Sequence, residues 1–517
     1  MPWPIRASLL FVVSAFVADG ARAEETFPIL EMRVLGNTVL EPIEVERAVY
    51  PHLGESRTLV DVQAARDALV DVYRQKGFGA VFVDIPEQSV DDGIVRLRVT
   101  EGRVDRVRVT GATYFANGQI REALPAARQG EVLNLTALQG ELADISRQSR
   151  DRVVTPVLRS GRTPGTVDLE LKVDDHLPAH GSIEASDRYT ADTSRERVSL
   201  NLSYDNLFQK FHSLSLQYQT SPRERSEAQV IAATYVAPVP SSRNILAMYV
   251  VDTNSDVATV GALSVLGAGR IYGLRLITPL PESEGYSHNT TLGLDLKDFA
   301  ERIRLTDVDD VTPIKYLHWS AAYSGTYRTP KTNTSVGASL NWGVRGLLND
   351  SDEFGFKRFN ARPNYFYLRA NFEHERPLVW GTRFALRLNG QYTTAPLISN
   401  EQFSIGGAES VRGYLESEEL GDLGASGAFE LRSPRLFPTI QAAASYVYTF
   451  IDAGVIGIID HLPQQDSRTD LSSWGVGLRF NGPGGLEAQL DWARAIVDSP
   501  HVDAGDSRIH FYLRYGL

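Results

Sequence analysis

Ile509, Phe511, Leu513, Tyr515 and Leu517 alternate with Arg508, His510, Tyr512 and Arg514 along the last residues of the chain. A period of two puts each set on its own face of one strand. Residues 198–204, 213–219 and 384–389 alternate in the same way, and no helical period returns after His180. A strand pattern sustained over that length leaves two architectures, a stacked sandwich or a closed barrel. Three features favour a barrel in a membrane. The face opposite the apolar one carries Ser, Asn, Gln and Arg, as a wet lumen would. Tyr and Trp recur near segment ends, where interface girdles lie. The alternation also reaches the last residue, as a closing strand requires. At about 20 residues per strand and connection, the region 180–517 would hold roughly sixteen antiparallel strands.

The N-terminus points the same way. Arg6 supplies a positive start, residues 7–17 are an apolar stretch, and Ala21 and Ala23 frame a small-residue cleavage site. This order predicts a secretory signal peptide over 1–23, with Glu24 as the first mature residue. The apolar stretch is shorter than the roughly 20 residues of a spanning helix. After Glu24 no apolar run is long enough to cross lipid as a helix, so a membrane location would require a closed barrel. Cysteine is absent, which excludes disulfides, thiol redox motifs and Cys-based metal sites. The net charge of −12, without a Lys/Arg cluster, argues against a nucleic-acid partner.

Between the leader and the barrel the pattern is mixed α+β and occurs twice. The first copy reads as a strand over 29–34, a turn at Gly36-Asn37, and a short helix after Pro42. A longer helix follows, with Val62, Ala65, Leu69, Val72 and Tyr73 on one stripe, stopped at Lys76-Gly77. Strands over 80–83 and 94–99 complete it. The second copy repeats the order: a strand over 104–109, a turn at Gly111, helices over 120–124 and 135–147, then strands over 152–158 and 167–173. Pro156 suits an edge position, because proline lacks the N–H a central strand needs. A tandem unit of this kind is a repeat architecture.

The β-α-α-β-β order resembles the polypeptide-transport-associated (POTRA) domain, in two copies at 27–101 and 102–175. A second resemblance lies in the barrel region. Residues 403–414 read Phe-Ser-Ile-Gly-Gly-Ala-Glu-Ser-Val-Arg-Gly-Tyr, followed by Glu416, by Gly421-Asp422-Leu423-Gly424 and by Glu430-Leu431-Arg432. Phe450-Ile451-Asp452 follows as a Phe-x-Asp strand motif. These segments resemble the signature loop and inner-wall strand of two-partner secretion transporters (the TpsB family), such as those for haemolysin and filamentous haemagglutinin. The resemblance covers essentially the whole mature chain. It implies α+β POTRA domains in the periplasm followed by an all-β barrel in the outer membrane of a Gram-negative cell. It also implies a loop near 403–430 folded into the lumen.

In that reading Val411, Arg412, Gly413 and Tyr414 form the loop tip, and Phe450 and Asp452 lie on the inner wall. Arg412 pairs with Asp452, and Glu416 is a secondary candidate. The residue types suit these roles. Phe450 and Asp452 are two apart and share a face, leaving Ile451 and Ala453 toward lipid. A buried guanidinium needs a carboxylate, and a bidentate contact would fix the loop's orientation. Gly413 would permit a turn that a side chain obstructs. A simple pair also predicts that Arg412→Asp combined with Asp452→Arg recovers part of what either change loses.

The implied partners are a large secreted exoprotein (adhesin, haemolysin or toxin) bearing an N-terminal secretion domain, the lipid of the outer membrane, and the barrel-assembly machinery during biogenesis. Neither a cofactor, a metal nor an enzymatic activity is expected. Gly482-Pro483-Gly484-Gly485 lacks the Lys-Ser/Thr of a phosphate loop and reads as a turn, and His212-Ser213 sits in strand context. Some family members carry an N-terminal plug helix, for which the segment before the first strand leaves little room. Asp307-Val308-Asp309-Asp310 reads as an external loop. A barrel-assembly factor of the same superfamily is the main rival, and such factors usually carry three or more POTRA units. N-terminal sequencing of the mature protein is expected to start at Glu24.

Overall fold

The computed structural model describes residues 26–516 except 91, 192, 226–227, 256, 261–262, 306–307, 350 and 438–443. The leader expected over 1–23 and Leu517 lie outside the described residues. The chain divides into two units, residues up to His176 and residues from Leu177.

The first unit contains the repeat. Its first copy comprises β1 (Glu31–Leu35), α1 (Pro42–Val49), α2 (Leu59–Gln75), β2 (Val81–Asp84) and β3 (Ile94–Glu101). β3 is central, parallel to β1 and antiparallel to β2. The second copy comprises β4 (Arg103–Thr110), α3 (Asn117–Glu122), α4 (Leu135–Gln148), β5 (Arg152–Ser160) and β6 (Thr166–Asp175). Here β6 is central, parallel to β4 and antiparallel to β5. Pro156 therefore sits on an edge strand, where its missing N–H removes no internal ladder bond.

Local chemistry explains these elements. Thr58 and Asp61 form a capping box at the start of α2, and Val62, Leu69 and Tyr73 pack on Val95 and Leu97 of the sheet. The Tyr73 hydroxyl donates to Asn37 Oδ1 at 2.6 Å, and burial with the nearby Glu101 carboxylate pushes the phenol's pKa up. The turn after each copy's first strand shows the repetition at atomic level. Gly36 has φ +93°, and a Cβ there would lie 2.3 Å from the Val99 carbonyl oxygen. Gly111 has φ +87°, with the same clash at 2.4 Å from the Val173 oxygen. Only glycine satisfies both conditions. Two details differ from the sequence pattern. The strand expected over 29–34 is split, because Phe27–Ile29 pairs instead with Gly54–Arg57. The short helix of the second copy runs Asn117–Glu122 rather than 120–124.

The second unit is a closed barrel of sixteen strands, each antiparallel to its neighbours. In chain order these are β7 (Ala179–Ser186), β8 (Arg197–Leu207), β9 (His212–Thr220), β10 (Gln229–Pro238), β11 (Ile245–Thr253), β12 (Gly269–Pro279), β13 (Tyr286–Leu305) and β14 (Val308–Arg328). They continue with β15 (Asn333–Gly343), β16 (Phe366–Pro377), β17 (Arg383–Thr393), β18 (Leu423–Arg432), β19 (Tyr446–Gly457), β20 (Arg468–Asn481), β21 (Leu486–Ala495) and β22 (Ser507–Gly516). A short helix, α5 (Ser351–Lys357), interrupts the loop between β15 and β16. The ring closes where β22 pairs with β7, from Tyr512↔Ser186 to Gly516↔Ser182. The rim where β7 starts is called proximal here, and the opposite rim distal. The turn at 482–485 joins β20 to β21 at the proximal rim.

Burial is inverted relative to a water-soluble sheet. On β19, Tyr448, Phe450 and Asp452 are buried inside while Val447 and Ile451 are exposed outside. On β22, Ile509, Phe511, Leu513 and Tyr515 are exposed and His510 is buried. Apolar side chains outward and polar ones inward define a barrel whose solvent outside is lipid. Among the described residues no helix is long and apolar enough to cross a membrane.

One expectation changes. Val308, Asp309 and Asp310 belong to β14, whose backbone ladder with β13 continues to Leu305↔Val308. β13 pairs with β12 only as far as Phe299, and β14 with β15 only from His318, so this hairpin runs past its neighbours at the distal rim. The polar composition suggested a loop, whereas the backbone ladder makes this segment a strand. Asp307 lies outside the described residues.

Ile451 stands midway along β19 on the lipid face. Replacing it with Arg is expected to cost about 2–4 kcal/mol, as a charge at the bilayer midplane does. Denaturant titration of the protein folded in vesicles measures the loss.

Candidate functional site

Residues 394–422 join β17 to β18 and turn into the barrel from the distal rim. A short ribbon, Phe403–Ile405 paired with Glu419–Gly421, forms the stem. Residues 423–430, which the loop was expected to include, already belong to β18, where alternation resumes.

At the tip, Arg412 is 1% exposed. Its Nε donates to Asp452 Oδ2 at 2.7 Å and its Nη2 to Asp452 Oδ1 at 2.8 Å. The Arg412 backbone N–H also donates to Asp452 Oδ2, at 3.1 Å. The same guanidinium meets two further carboxylates. Nη1 donates to Glu430 Oε1 of β18 at 2.9 Å and lies 3.5 Å from Asp491 Oδ2 of β21. Both remaining acids are otherwise satisfied. Arg432 donates to Glu430 Oε2, while Tyr448 and Gln489 donate to Asp491. The Phe450 ring stacks on the guanidinium, with its centroid 3.5 Å from Cζ. Glycines on β20 make room for this wall. A Cβ at Gly475 would lie 2.4 Å from the Phe450 ring, and one at Gly477 2.3 Å from that of Tyr448.

The other tip residues hold the turn. Val411 packs with Ile405, Ile456 and Leu471. The Tyr414 hydroxyl donates to the carbonyl oxygens of Ser472 and Val497, at 2.9 and 2.8 Å. Gly413 has φ +100°, a region side chains rarely adopt, but a Cβ there would meet nothing nearer than 3.4 Å. Backbone conformation, not obstruction, calls for glycine here. Its N–H donates to His510 Nε2 at 3.3 Å, and His510 Nδ1 lies 3.4 Å from Asp187 Oδ2. The tip thereby reaches the closing strand. The Glu416 carboxylate accepts from the Ala408 N–H at 3.0 Å within the loop, while the Glu416 backbone N–H donates to the Tyr189 carbonyl oxygen at 3.1 Å outside it.

The loop base has a second polar centre that the motif did not reveal. Glu401 is 1% exposed and accepts from Lys297 Nζ at 2.5 Å and from the Tyr367 hydroxyl at 2.7 Å, with Tyr316 as a third donor. Asp422 is fully buried and gathers residues from three loops. The alternation of β18, β19 and β21 showed which acids face the lumen. It could not show which of them the loop would reach.

Sixteen strands around a lumen occupied by a pinned loop define an outer-membrane Omp-type transporter barrel. Residues 165–480, more than half of the chain, match the haemolysin secretion/activation protein family ShlB/FhaC/HecB, and residues 27–102 match the ShlB-type POTRA domain. The chain belongs to that family of two-partner secretion transporters, which places it in the outer membrane with its POTRA region in the periplasm. It is 23% identical over 487 residues to the outer membrane transporter CdiB of Dickeya dadantii, covering 89% of this chain and 80% of that one. It is 19% identical over 401 residues to the heme/hemopexin transporter protein HuxB of Haemophilus influenzae, covering 75% and 69%. Among solved structures, CdiB from Escherichia coli superposes with a TM-score of 0.66 at 19% identity, covering 98% of this chain and 93% of that one. BamA from Haemophilus ducreyi lacking POTRA domains 1–3 reaches 0.60 at 15% identity, covering 95% and 100%. These structural likenesses show the fold alone.

The geometry revises the reciprocal-swap expectation. An aspartate at 412 would face Glu430 and Asp491 even with an arginine at 452, so the double exchange is expected to recover little. Arg412→Ala strands buried carboxylates and is expected to cost about 3–5 kcal/mol, the usual penalty for removing one partner of a buried pair. Gly413→Ala is expected to cost about 1–3 kcal/mol of backbone strain. Denaturation of the heat-modifiable folded band measures both.

Proposed function

We propose that this chain captures one large, unfolded exoprotein in the periplasm and passes it through the barrel to the cell surface without ATP. The observation that carries this reading is a polar-lined barrel whose lumen holds a loop by one charged tip, in a member of a secretion family. The loop obstructs the lumen in the resting state, held by ionic contacts of Arg412 with Asp452, of Glu409 with Arg387 and of Glu401 with Lys297, and contacts that water can replace make it a movable obstruction. With no nucleotide motif in the sequence, folding of the cargo outside supplies the pull. Arg412 and Asp452 act as positioning residues, and Phe450 is the platform on which the tip rests.

Capture falls to the first unit, whose repeat we read as two POTRA domains. A sheet edge can accept an extended chain as an added strand, with side-chain contacts setting selectivity. β2 offers such an edge, with Phe82 exposed beside it. Pro156 removes one N–H from the edge of β5, so the first copy suits strand addition better. The cargo is an adhesin, haemolysin or toxin with an N-terminal secretion domain. A transporter named CdiB and one named HuxB are among the relatives, and neither name assigns this chain's cargo.

Deleting the gene and comparing surface and secreted proteins tests the reading. Loss of one very large protein, encoded nearby, is the expected result. Depletion of many outer-membrane barrels would instead identify an assembly factor. Asp452→Arg is expected to reproduce the export loss with the barrel still present in the membrane. Phe82→Asp is expected to weaken binding of the cargo's N-terminal domain to the full-length protein, measured by co-purification.

A further inference from the structure

Away from the loop tip, the barrel also departs from its inside-out rule. Val230, Val251, Ile271 and Phe299 face inward near the distal rim, where a wet lumen would carry polar groups. They are fully buried because two loops cover them. Leu397 and Ile398 come from the inward-folded loop, and Phe354 comes from α5 in the β15–β16 loop. Phe354 is 1% exposed, with its ring centroid 5.4 Å from that of Tyr316 and 6.2 Å from that of Tyr365. The distal mouth is thus sealed on this side by apolar packing, apart from the tip pair.

An ionic contact joins the covering loops. Arg358, one residue after α5, donates through Nη2 to Asp422 Oδ2 at 2.7 Å. Its Nη1 donates to the Leu397 carbonyl oxygen at 3.1 Å, and Nη2 reaches that of Ile459 at 3.0 Å. Asp422 accepts in addition from the backbone N–H groups of Leu397 at 2.9 Å and Ile459 at 2.7 Å. The pair therefore ties the β15–β16 loop, the inward-folded loop and the β19–β20 loop at one point. Asp422 is completely buried, and the side chain of Arg358 is 15% exposed. Outside its three ties, Arg358 belongs to a surface loop. A buried carboxylate that gathers three loops is more than a surface ion pair, because the surrounding N–H groups orient it and water is excluded.

We propose that Arg358 and Asp422 are the latch of an outer gate, distinct from the Arg412–Asp452 seat. Latched, they hold Phe354 on the inward apolar ring and keep the barrel closed to ions and small solutes. Unlatched, the β15–β16 loop lifts Phe354 away while the tip pair remains seated. Export then requires two releases, at the tip and at the rim, and the rim latch keeps the outer membrane tight when no cargo is present.

This purpose rests on the export reading, but the latch itself is measurable without cargo. Full-length wild type, Arg358→Ala and Phe354→Ala are each inserted into planar bilayers, and cells carrying them are challenged with vancomycin, which an intact outer membrane excludes. Both variants are expected to show several-fold higher mean conductance and greater vancomycin sensitivity, with the heat-modifiable folded band retained. Wild-type conductance and exclusion in both would overturn the latch. Should Arg358→Ala fail to reach the membrane, Arg358→Gln, which keeps most of the side chain and removes its charge, decides for the latch: wild-type conductance in it overturns the pair, while Phe354→Ala tests the cover alone. Raised conductance in a strain whose secreted proteins do not depend on this gene would leave the latch standing and remove the export reading.

Discussion

A sheet that enters lipid must bond every backbone N–H and C=O within itself, because the hydrocarbon offers no partner. Closure of β22 on β7 meets that demand, and the rest of the molecule follows from it. A closed ring has an outside that must be apolar and an inside that need not be. Sixteen strands enclose a hollow too wide for wall side chains alone to fill, so the chain sends a loop into it.

What holds that loop is chosen for position more than for stability. Taking a guanidinium and three carboxylates out of bulk water carries a desolvation cost that their attraction barely offsets, and an apolar filling of equal volume is often no less stable. An apolar filling would not define one seat. The bidentate contact with Asp452, the third contact with Glu430 and the stacked Phe450 ring leave Arg412 a single orientation. The same chemistry makes the seat reversible, since arginine and acids released into a wet lumen regain hydration. Burial of Phe354 at the rim works through a different force. Covering one phenylalanine contributes about 1.5–3 kcal/mol, and the ionic tie beside it decides where that covering occurs.

Much of this was legible in the residues. Alternation announced the strands, since period two is a property of a single strand and needs no knowledge of its neighbours. The tandem unit was legible because each copy carries the same local signals, down to Gly36 and Gly111 packed under a neighbouring carbonyl. The motif around Arg412 and the Phe-x-Asp strand pointed to each other only through resemblance to a family. Glu401 gave no such sign, because a glutamate in a polar loop looks solvated until Lys297, Tyr316 and Tyr367 surround it. The strand at Val308 was hidden for a related reason: what makes it a strand is its backbone pairing with β13, which no side-chain pattern announces.

The order of elements, the faces of the strands and the repeat were therefore determined by the sequence alone, through interactions between near neighbours, while the charged tip was legible only as a motif shared with a family. Only the folded barrel decided that Arg412 meets Glu430 and Asp491 as well as Asp452, and that Arg358 reaches Asp422. Those contacts join residues far apart in the chain. Their distances are set by how sixteen strands close and where the loop comes to rest, which no local pattern encodes.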